Sequence, residues 1–441
     1  MLVNIHTRIV LLLFSLMSIN AVQGQIWPLQ KCIDTAWTGN KNLQINNNNI
    51  KIGEEKEKEA KGNLIPKITT NADYKYFTDL PYQLMPLSVF GGPEGKFKEA
   101  QFGVPHTING NIQLSMPLYS PQVYGAIQSA EIVSELTALQ YRKTEEQIYV
   151  EISTLYYNAQ IIYHQLGFVK SNLLNTERLL KNMQLLHEQL LAKGTDVSKL
   201  KLQEMQLTLQ KENLNNKYIQ ILNALKFAMG VSLQKDIQPD TVIQYENTID
   251  YKTVPSTEVQ ITNTQNRLLS NELKILNYSR FLPSFQLIGS YGTTGFGYDK
   301  KPNDFLKFYP IGYGGIQMTY PLFNGTVTQR KMHQKKIELL NNELQAGLLS
   351  EQINMQVENA RLQRTSALKM IDPANEQIKL AQTIFEQTLL QQKQGTAALT
   401  DVLLADNALR DAQQGRLTAI IDYLKADLEL KKLTGNTITH K

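Results

Sequence analysis

Residues 66–77, PKITTNADYKYF, alternate without a break. Ile68, Thr70, Ala72, Tyr74 and Tyr76 fall on one side, and Lys67, Thr69, Asn71, Asp73 and Lys75 on the other. Period two with one wholly polar side predicts a half-buried β-strand. The alternation returns at 110–120, GNIQLSMPLYS, where Ile112, Leu114 and Met116 oppose Asn111, Gln113 and Ser115. It occurs twice more: at 283–297, with Phe285, Leu287 and Tyr291 on one side, and at 310–324, with Ile316, Met318 and Tyr320 against Gln317 and Thr319. The stretch GGIQMTYPLFN (314–324) also restates GNIQLSMPLYS: Gly110, Ile112, Gln113, Pro117 and Leu118 recur as Gly314, Ile316, Gln317, Pro321 and Leu322. A repeat on this scale makes the chain two copies of one unit.

Beyond each strand pair the period changes. From Ile148 the apolar positions run Ile152, Leu155, Ala159, Ile162, Leu166, Val169 and Leu173, then Leu180, Met183 and Leu190. Alternating steps of three and four form a heptad seam. The second copy has Val357, Ala360, Ala367, Ile371, Ala374, Ile378, Ala381 and Phe385, interrupted by Arg364. The helical region from about 121 to 192 spans ~108 Å at the helical rise. Its counterpart, 326–393, carries Pro373 and is predicted to kink there. Gly194 and Gly395 are expected to end these helices, with Thr195, Asp196 or Thr396 capping the return helices, which run to Gly230 and Gly435. The returns cover only half the length, and helices at 28–62 and 256–280 supply the rest.

The fold class is therefore mixed α and β, with duplicated halves, each a β-hairpin plus long coiled-coil helices. The first half is 25–230, with its helical hairpin at 121–230. A midpoint connector, 231–255, leads to the second half, 256–435, with its hairpin at 326–435 and a tail at 436–441.

Composition narrows the setting. The chain is 42% hydrophobic and 19% charged, which excludes broad disorder, and its formal charge of +5 is dispersed, which gives no nucleic-acid partner. The start, MLVNIHTRIVLLLFSLMSINAVQGQ, reads as a signal peptide over 1–24, its apolar core Ile9–Leu16 too short to span a bilayer. Cys32 stands alone, so no intrachain disulfide forms, and it lies too far past the expected cleavage point for a lipid-modified N-terminus. No later stretch approaches 18 apolar residues, so membrane entry would be through β-strands.

The alternation alone equally fits a soluble antiparallel sheet with one wet face. Two features favour a membrane. Strands of about 10 residues have the length a transmembrane barrel needs. Tyr and Phe also gather at the strand ends (Tyr74, Tyr76, Phe77, Tyr119, Phe308, Tyr309, Tyr313, Phe323), as interfacial girdles do. Four strands cannot close a barrel. Two chains give eight strands, a barrel filled by its own side chains. Three give twelve, with a lumen lined by Lys67, Thr69, Asn71, Asp73, Gln113, Ser115, Gln317 and Thr319.

Catalysis finds no support. The six histidines show no metal-ligand spacing, Cys32 lacks a local partner, and GGPEG (91–95) is neither a phosphate nor a dinucleotide loop. No enzyme activity, cofactor or metal site is expected.

Taken together, the sequence resembles the TolC-like outer-membrane efflux family. The resemblance rests on the duplicated halves, the strand endings MPLY and YPLF, the strand entries NLIP and RFLP, and the turns KGTDVSKL and QGTAALTDVLLAD, and it covers about 26–435. It implies a homotrimer: a 12-stranded outer-membrane β-barrel continuous with a 12-helix periplasmic α-barrel. Such a trimer serves as the passive exit duct of a tripartite efflux or type I secretion system. Its implied partners are outer-membrane lipid, a periplasmic adaptor (membrane fusion) protein and an inner-membrane pump of RND, ABC or MFS type. By position the resemblance makes Gly194, Thr195, Asp196, Gly395, Thr396 and Ala397 adaptor contacts, and Asp401 an acidic residue at the pore constriction. Leu404 stands where the family's second acid falls, and Ala397 where a basic residue is expected, so the gate-locking bonds differ. A periplasmic coiled-coil adaptor or a structural protein is the alternative, and neither accounts for the duplicated amphipathic strands.

Overall fold

A computed structural model describes residues 26–437 apart from 246–250, 253, 300 and 302–303. The expected signal peptide, part of the connector and most of the tail lie outside the described residues. In chain order the elements are β1 (Ile26–Trp27), α1 (Leu29–Gly39), α2 (Lys41–Gly62), β2 (Lys67–Tyr76), β3 (Tyr82–Pro86), β4 (Phe97–Gln101), β5 (His106–Tyr119), α3 (Pro121–Glu188) and α4 (Gly194–Met229). There follow β6 (Gln238–Pro239), α5 (Thr257–Phe281), β7 (Ser284–Tyr298), β8 (Phe305–Thr319), α6 (Val327–Lys393) and α7 (Leu399–Leu433). The chain divides into a strand-bearing unit, Ile50–Thr137 with Thr262–Gln345, and a helical unit made of the remaining segments.

In the strand-bearing unit the four alternating segments form one antiparallel sheet in the order β2-β5-β7-β8. Each repeated half supplies a pair, and the β5–β7 ladder joins the halves. Strand β8 lies earlier than the expected 310–324. Pro321 has no N–H to give a ladder and the strand stops before it, while Phe305 extends the start by pairing with Tyr298. The segment between β2 and β5 folds as a separate small hairpin, β3–β4. Beneath the sheet, Asn271 of α5 donates from Nδ2 to the Gly125 carbonyl at 3.1 Å and to Ser129 Oγ at 3.0 Å on α3.

The helical unit is built on the heptad seams. Ile148, Ile152, Ala159, Ile162, Leu166, Val169, Leu173, Leu180 and Met183 of α3 are buried, as are Val357, Ala360, Ile371, Ala374, Ala381 and Phe385 of α6. Helix α6 runs unbroken through Pro373. The stretch expected as one helix over 28–62 is two. Asn40 accepts at Oδ1 from the N–H groups of Asn42 (2.8 Å) and Leu43 (3.2 Å), which caps α2 and separates it from α1. Its Nδ2 donates to the Ala228 carbonyl at 2.6 Å, tying the break to the end of α4.

Three α3 side chains spaced one turn apart hold the described part of the connector. Tyr156 donates its hydroxyl to the Trp27 carbonyl and accepts from the Asp240 N–H, both at 3.0 Å. Gln160 Nε2 donates to the carbonyls of Asp240 (2.8 Å) and Val242 (3.0 Å), and His164 Nε2 lies 2.8 Å from the Thr241 carbonyl. The connector also pairs in parallel with Ile26–Trp27 through β1–β6. Cys32 packs in this same core, and burial pushes its thiol up to about 12, so it is an apolar packing group.

Glu146 of α3 accepts the Thr257 hydroxyl of α5 at 2.6 Å. Burial raises its carboxyl above the ordinary range, against the Thr257 bond and nearby Arg142. The folded protein therefore holds this proton more tightly than the unfolded chain. Its contribution to stability is fully present below the unfolded pKa and is lost as pH rises through the raised folded value. The helical melting midpoint is thus expected to fall over that rise in pH, and less steeply in Glu146→Gln. An identical pH slope in the variant would remove Glu146 from the account.

Candidate functional site: a charge-free sheet face and two hairpin tips

Residues paired across a ladder share a face of the sheet, so the register sorts every strand residue. Lys67 pairs with Ser115, Thr69 with Gln113, Asn71 with Asn111 and Asp73 with Asn109. Gln113 then meets Ser290, which meets Tyr313, and Gln286 meets Gln317 as Ser284 meets Thr319. All eight residues expected to line a lumen thus lie on one face. The opposite face carries Ile68, Ile112, Leu114, Met116, Leu287 and Ile316 and, within these four strands, no Asp, Glu, Lys or Arg.

Glycines on the uncharged face make room for rings. A Cβ on Gly295 would lie 2.6 Å from the Phe308 ring, and one on Gly312 would lie 2.8 Å from the Tyr291 ring, each ring lying over the glycine of its paired strand. At one end of this face Tyr74 Oη lies 2.7 Å from His106 Nδ1. The girdle reading needs one correction. Tyr309 and Tyr313 share the face of Lys307, Gln317 and Thr319, whereas Tyr74, Tyr76 and Phe308 lie on the uncharged one.

The two hairpin tips are built differently. The α6–α7 turn follows expectation in part. Gly395, at φ 76°, takes the left-handed position that closes α6, with Gly395 N–H donating to Gln392 O and Thr396 N–H to Gln391 O, both at 3.0 Å. Thr396 does not cap α7. Its hydroxyl turns back to the Gln391 carbonyl at 3.0 Å. Ala397 is half-buried between the two helices. Asp401 is exposed in the first turn of α7, where its Oδ2 accepts the Ala398 N–H at 2.9 Å, an N-terminal cap favoured by the helix dipole. Leu404 is exposed, and Asp406 is buried against Arg410 and accepts from Gln203 Nε2 of α4 at 2.5 Å. Burial pushes the Asp406 carboxyl up, opposed by both partners.

At the α3–α4 turn, Gly194 does not end the long helix but begins α4. The left-handed position falls to Leu190, at φ 63°, with Leu191 N–H donating to the Leu186 carbonyl at 2.8 Å. Thr195 and Asp196 lie in the first turn of α4. Neither side chain caps it, and Asp196 pairs with Lys199 at 3.5 Å. A left-handed non-glycine residue costs roughly 1–2 kcal/mol. Leu190 bears that cost while 91% exposed, beside the exposed Leu191. Both were missed in the sequence because Leu190 continues the heptad spacing and so reads as core. The signal was the run Leu190-Leu191-Ala192 abutting Lys193-Gly194, where no helix remains to bury the seam.

Among the described residues no helix is long and apolar enough to cross a membrane, and no three His, Cys, Asp or Glu side chains converge as a metal site requires. The sequence profile of the outer membrane efflux protein family matches residues 258–436. Comparison with curated protein sequences finds no match. Among solved structures the fold is similar to that of the outer membrane protein VceC from Vibrio cholerae, at a TM-score of 0.73 and 14% identity over 92% of this chain and 96% of that one. It is also similar to the CmeC outer membrane channel of Campylobacter jejuni (TM-score 0.73, 14% identity, 93% of this chain and 86% of that one). The MtrE outer membrane channel of Neisseria gonorrhoeae gives a TM-score of 0.66 at 18% identity, over 92% and 88% of the two chains. Residues 258–436 thus match the outer membrane efflux protein family, and the chain as a whole has a fold similar to those of the VceC, CmeC and MtrE structures.

Proposed function

We propose that three copies of this chain close into an outer-membrane channel-tunnel, the passive exit duct of a tripartite efflux or type I secretion system. The observation that carries this is the four-stranded sheet. The outer edges of β2 and β8 pair with no strand among the described residues, and its uncharged face has nothing of the described chain covering it at those strands. An open edge in lipid leaves backbone groups unpaired, and joining β8 of one copy to β2 of the next removes the edge. Twelve strands then enclose the polar face as a lumen, with α3, α4, α6 and α7 of each copy extending it as a periplasmic helical tunnel. The hairpin tips are where a periplasmic adaptor docks, Leu190 and Leu191 joining Gly194, Thr195, Asp196, Gly395, Thr396 and Ala397. An inner-membrane pump supplies the energy.

Single-particle imaging of the detergent-purified protein tests this reading. Threefold particles with a barrel are expected, and a monomeric or dimeric rod without one returns the chain to the adaptor or structural class. Asp401 is proposed to ring the constriction while capping α7. In Asp401→Asn the cap acceptor stays and the charge goes. Block of single-channel current by multivalent cations should then weaken at least tenfold, and unchanged block leaves Asp401 a cap alone.

A further inference from the structure

Strand β8 places Phe305, Lys307, Tyr309, Ile311 and Tyr313 on the face that also bears Gln317 and Thr319, all exposed. From β7 the same face receives Phe296 and Tyr298. The rings of Tyr298 and Phe305 are 6.2 Å apart and nearly parallel (22°), and those of Phe296 and Tyr309 are 6.1 Å apart at 50°. On β2 and β5 this face is instead polar, with Thr69, Asn71, Asn109, Asn111 and Gln113. The aromatic strip therefore belongs to the face that carries the charges, not to the uncharged one. Lipid does not account for it, and exposed rings in a water-filled duct are costly unless something stacks on them.

The charges indicate what that occupant is. Within the four strands this face bears Lys67, Lys75 and Lys307 against Asp73 alone. Asp73 is already engaged, with Lys75 at 3.5 Å and Asn109 Nδ2 at 3.0 Å. Lys307 stands between Phe305 and Tyr309 on β8 and pairs in register with Phe296. An ammonium set among rings fits a molecule with an aromatic ring and an anionic group. Tyr313, six residues from Lys307, lies ~20 Å farther along the strand and lengthens the strip. Resting on the proposed channel, we propose that this strip is a sliding site for amphipathic organic anions bearing an aromatic ring, which makes that class the exported substrate.

The test uses the full mature protein in nanodiscs and 4-benzoylbenzoate, an aromatic anion that crosslinks on illumination, with modified residues mapped by mass spectrometry. Labels are expected on 296–313 at the strip residues, reduced at least fivefold by 2-naphthoate and not by acetate. Tyr309→Ser with Tyr313→Ser should lower labelling at least fivefold, while Tyr309→Phe with Tyr313→Phe keeps it. Lys307→Gln should weaken competition by 2-naphthoate but not by neutral 2-naphthalenemethanol. Labels concentrated on Leu306, Phe308 or Ile316 would mean partition into lipid and overturn the site, as would labelling indifferent to the serine variants or equal competition by acetate. A strip that takes no label because a neighbouring copy covers it overturns the site too. Imaging of the same sample separates the two readings. Threefold particles with indifferent labelling sink the strip alone, and particles without a barrel sink the channel and the strip with it.

Discussion

Arg364→Ala is expected to destabilise the helical unit by about 3 kcal/mol, the lower end of the usual cost of breaking a buried ion pair, because Asp427 keeps Lys431 beside it. Arg364 breaks the apolar seam of α6, yet it is buried. Its Nε donates to Asp427 Oδ1 of α7 at 2.6 Å. The same carboxylate accepts the Tyr251 hydroxyl at 2.7 Å and faces Lys431 Nζ at 3.0 Å. The guanidinium also lies over the rings of Tyr251 (5.5 Å) and Tyr423 (5.7 Å). Alanine would remove the cation, leave a cavity and loosen the connector at Tyr251. The check is the urea midpoint of the helical circular dichroism signal, with Arg364→Met/Asp427→Leu as the paired control. The double variant is expected to recover part of the loss, because a buried ion pair is often replaceable by apolar groups of similar volume while Lys431 and Tyr251 lose their shared carboxylate. A single variant within 1 kcal/mol of the parent would mean the network is solvated and unimportant.

Gly230→Ala should cost about 3 kcal/mol or more, and here the cause is geometric. Gly230 stands at φ 70° at the end of α4, where a side chain is disfavoured by itself. A Cβ there would lie 2.0 Å from the Gly39 carbonyl oxygen and 2.9 Å from the Asn40 nitrogen. Both are backbone atoms, so no rotamer change relieves the overlap. A Cβ on Gly39 would in turn meet the Met229 oxygen at 2.5 Å. The two glycines let the ends of α1 and α4 touch, and the Asn40–Ala228 hydrogen bond depends on that approach. Overpacking typically costs 1–3 kcal/mol, and the backbone penalty adds to it. Gly415→Ala is the contrast. It lies inside α7 with nothing within 4 Å of the added carbon, so a gain of roughly 0.5–1 kcal/mol is expected. Equal thermal midpoints for the two alanine variants would show that the close approach carries no energy.

These two positions mark the limit of what the sequence disclosed. Gly230 was legible as a helix end because a left-handed cap is a local event that glycine announces. That Gly39 lies against it was not, because nothing in either neighbourhood encodes a contact so distant along the chain. Arg364 was visible as an interruption, and its partner Asp427 was not. The tips divide the same way. Gly395 closes α6 as its residue type suggests, but Leu190 takes the corresponding role on α3, and its heptad spacing concealed it.

What the sequence determined by itself is periodicity. Side-chain alternation in β2, β5, β7 and β8 and the three-four steps of α3 and α6 follow from backbone geometry, which is fixed within a few residues. The duplication, the element types and the split between polar and apolar sides were therefore readable from the letters. What only the tertiary structure decided is pairing. The β5–β7 ladder joins the halves, and the register moves Tyr309 and Tyr313 onto the charged face. Asn40, which divides one expected helix into two by capping α2, is tied to the end of α4 through Ala228. Periodicity is a property of one segment, whereas register and burial belong to two segments that must first meet, and their energies arise only once they do.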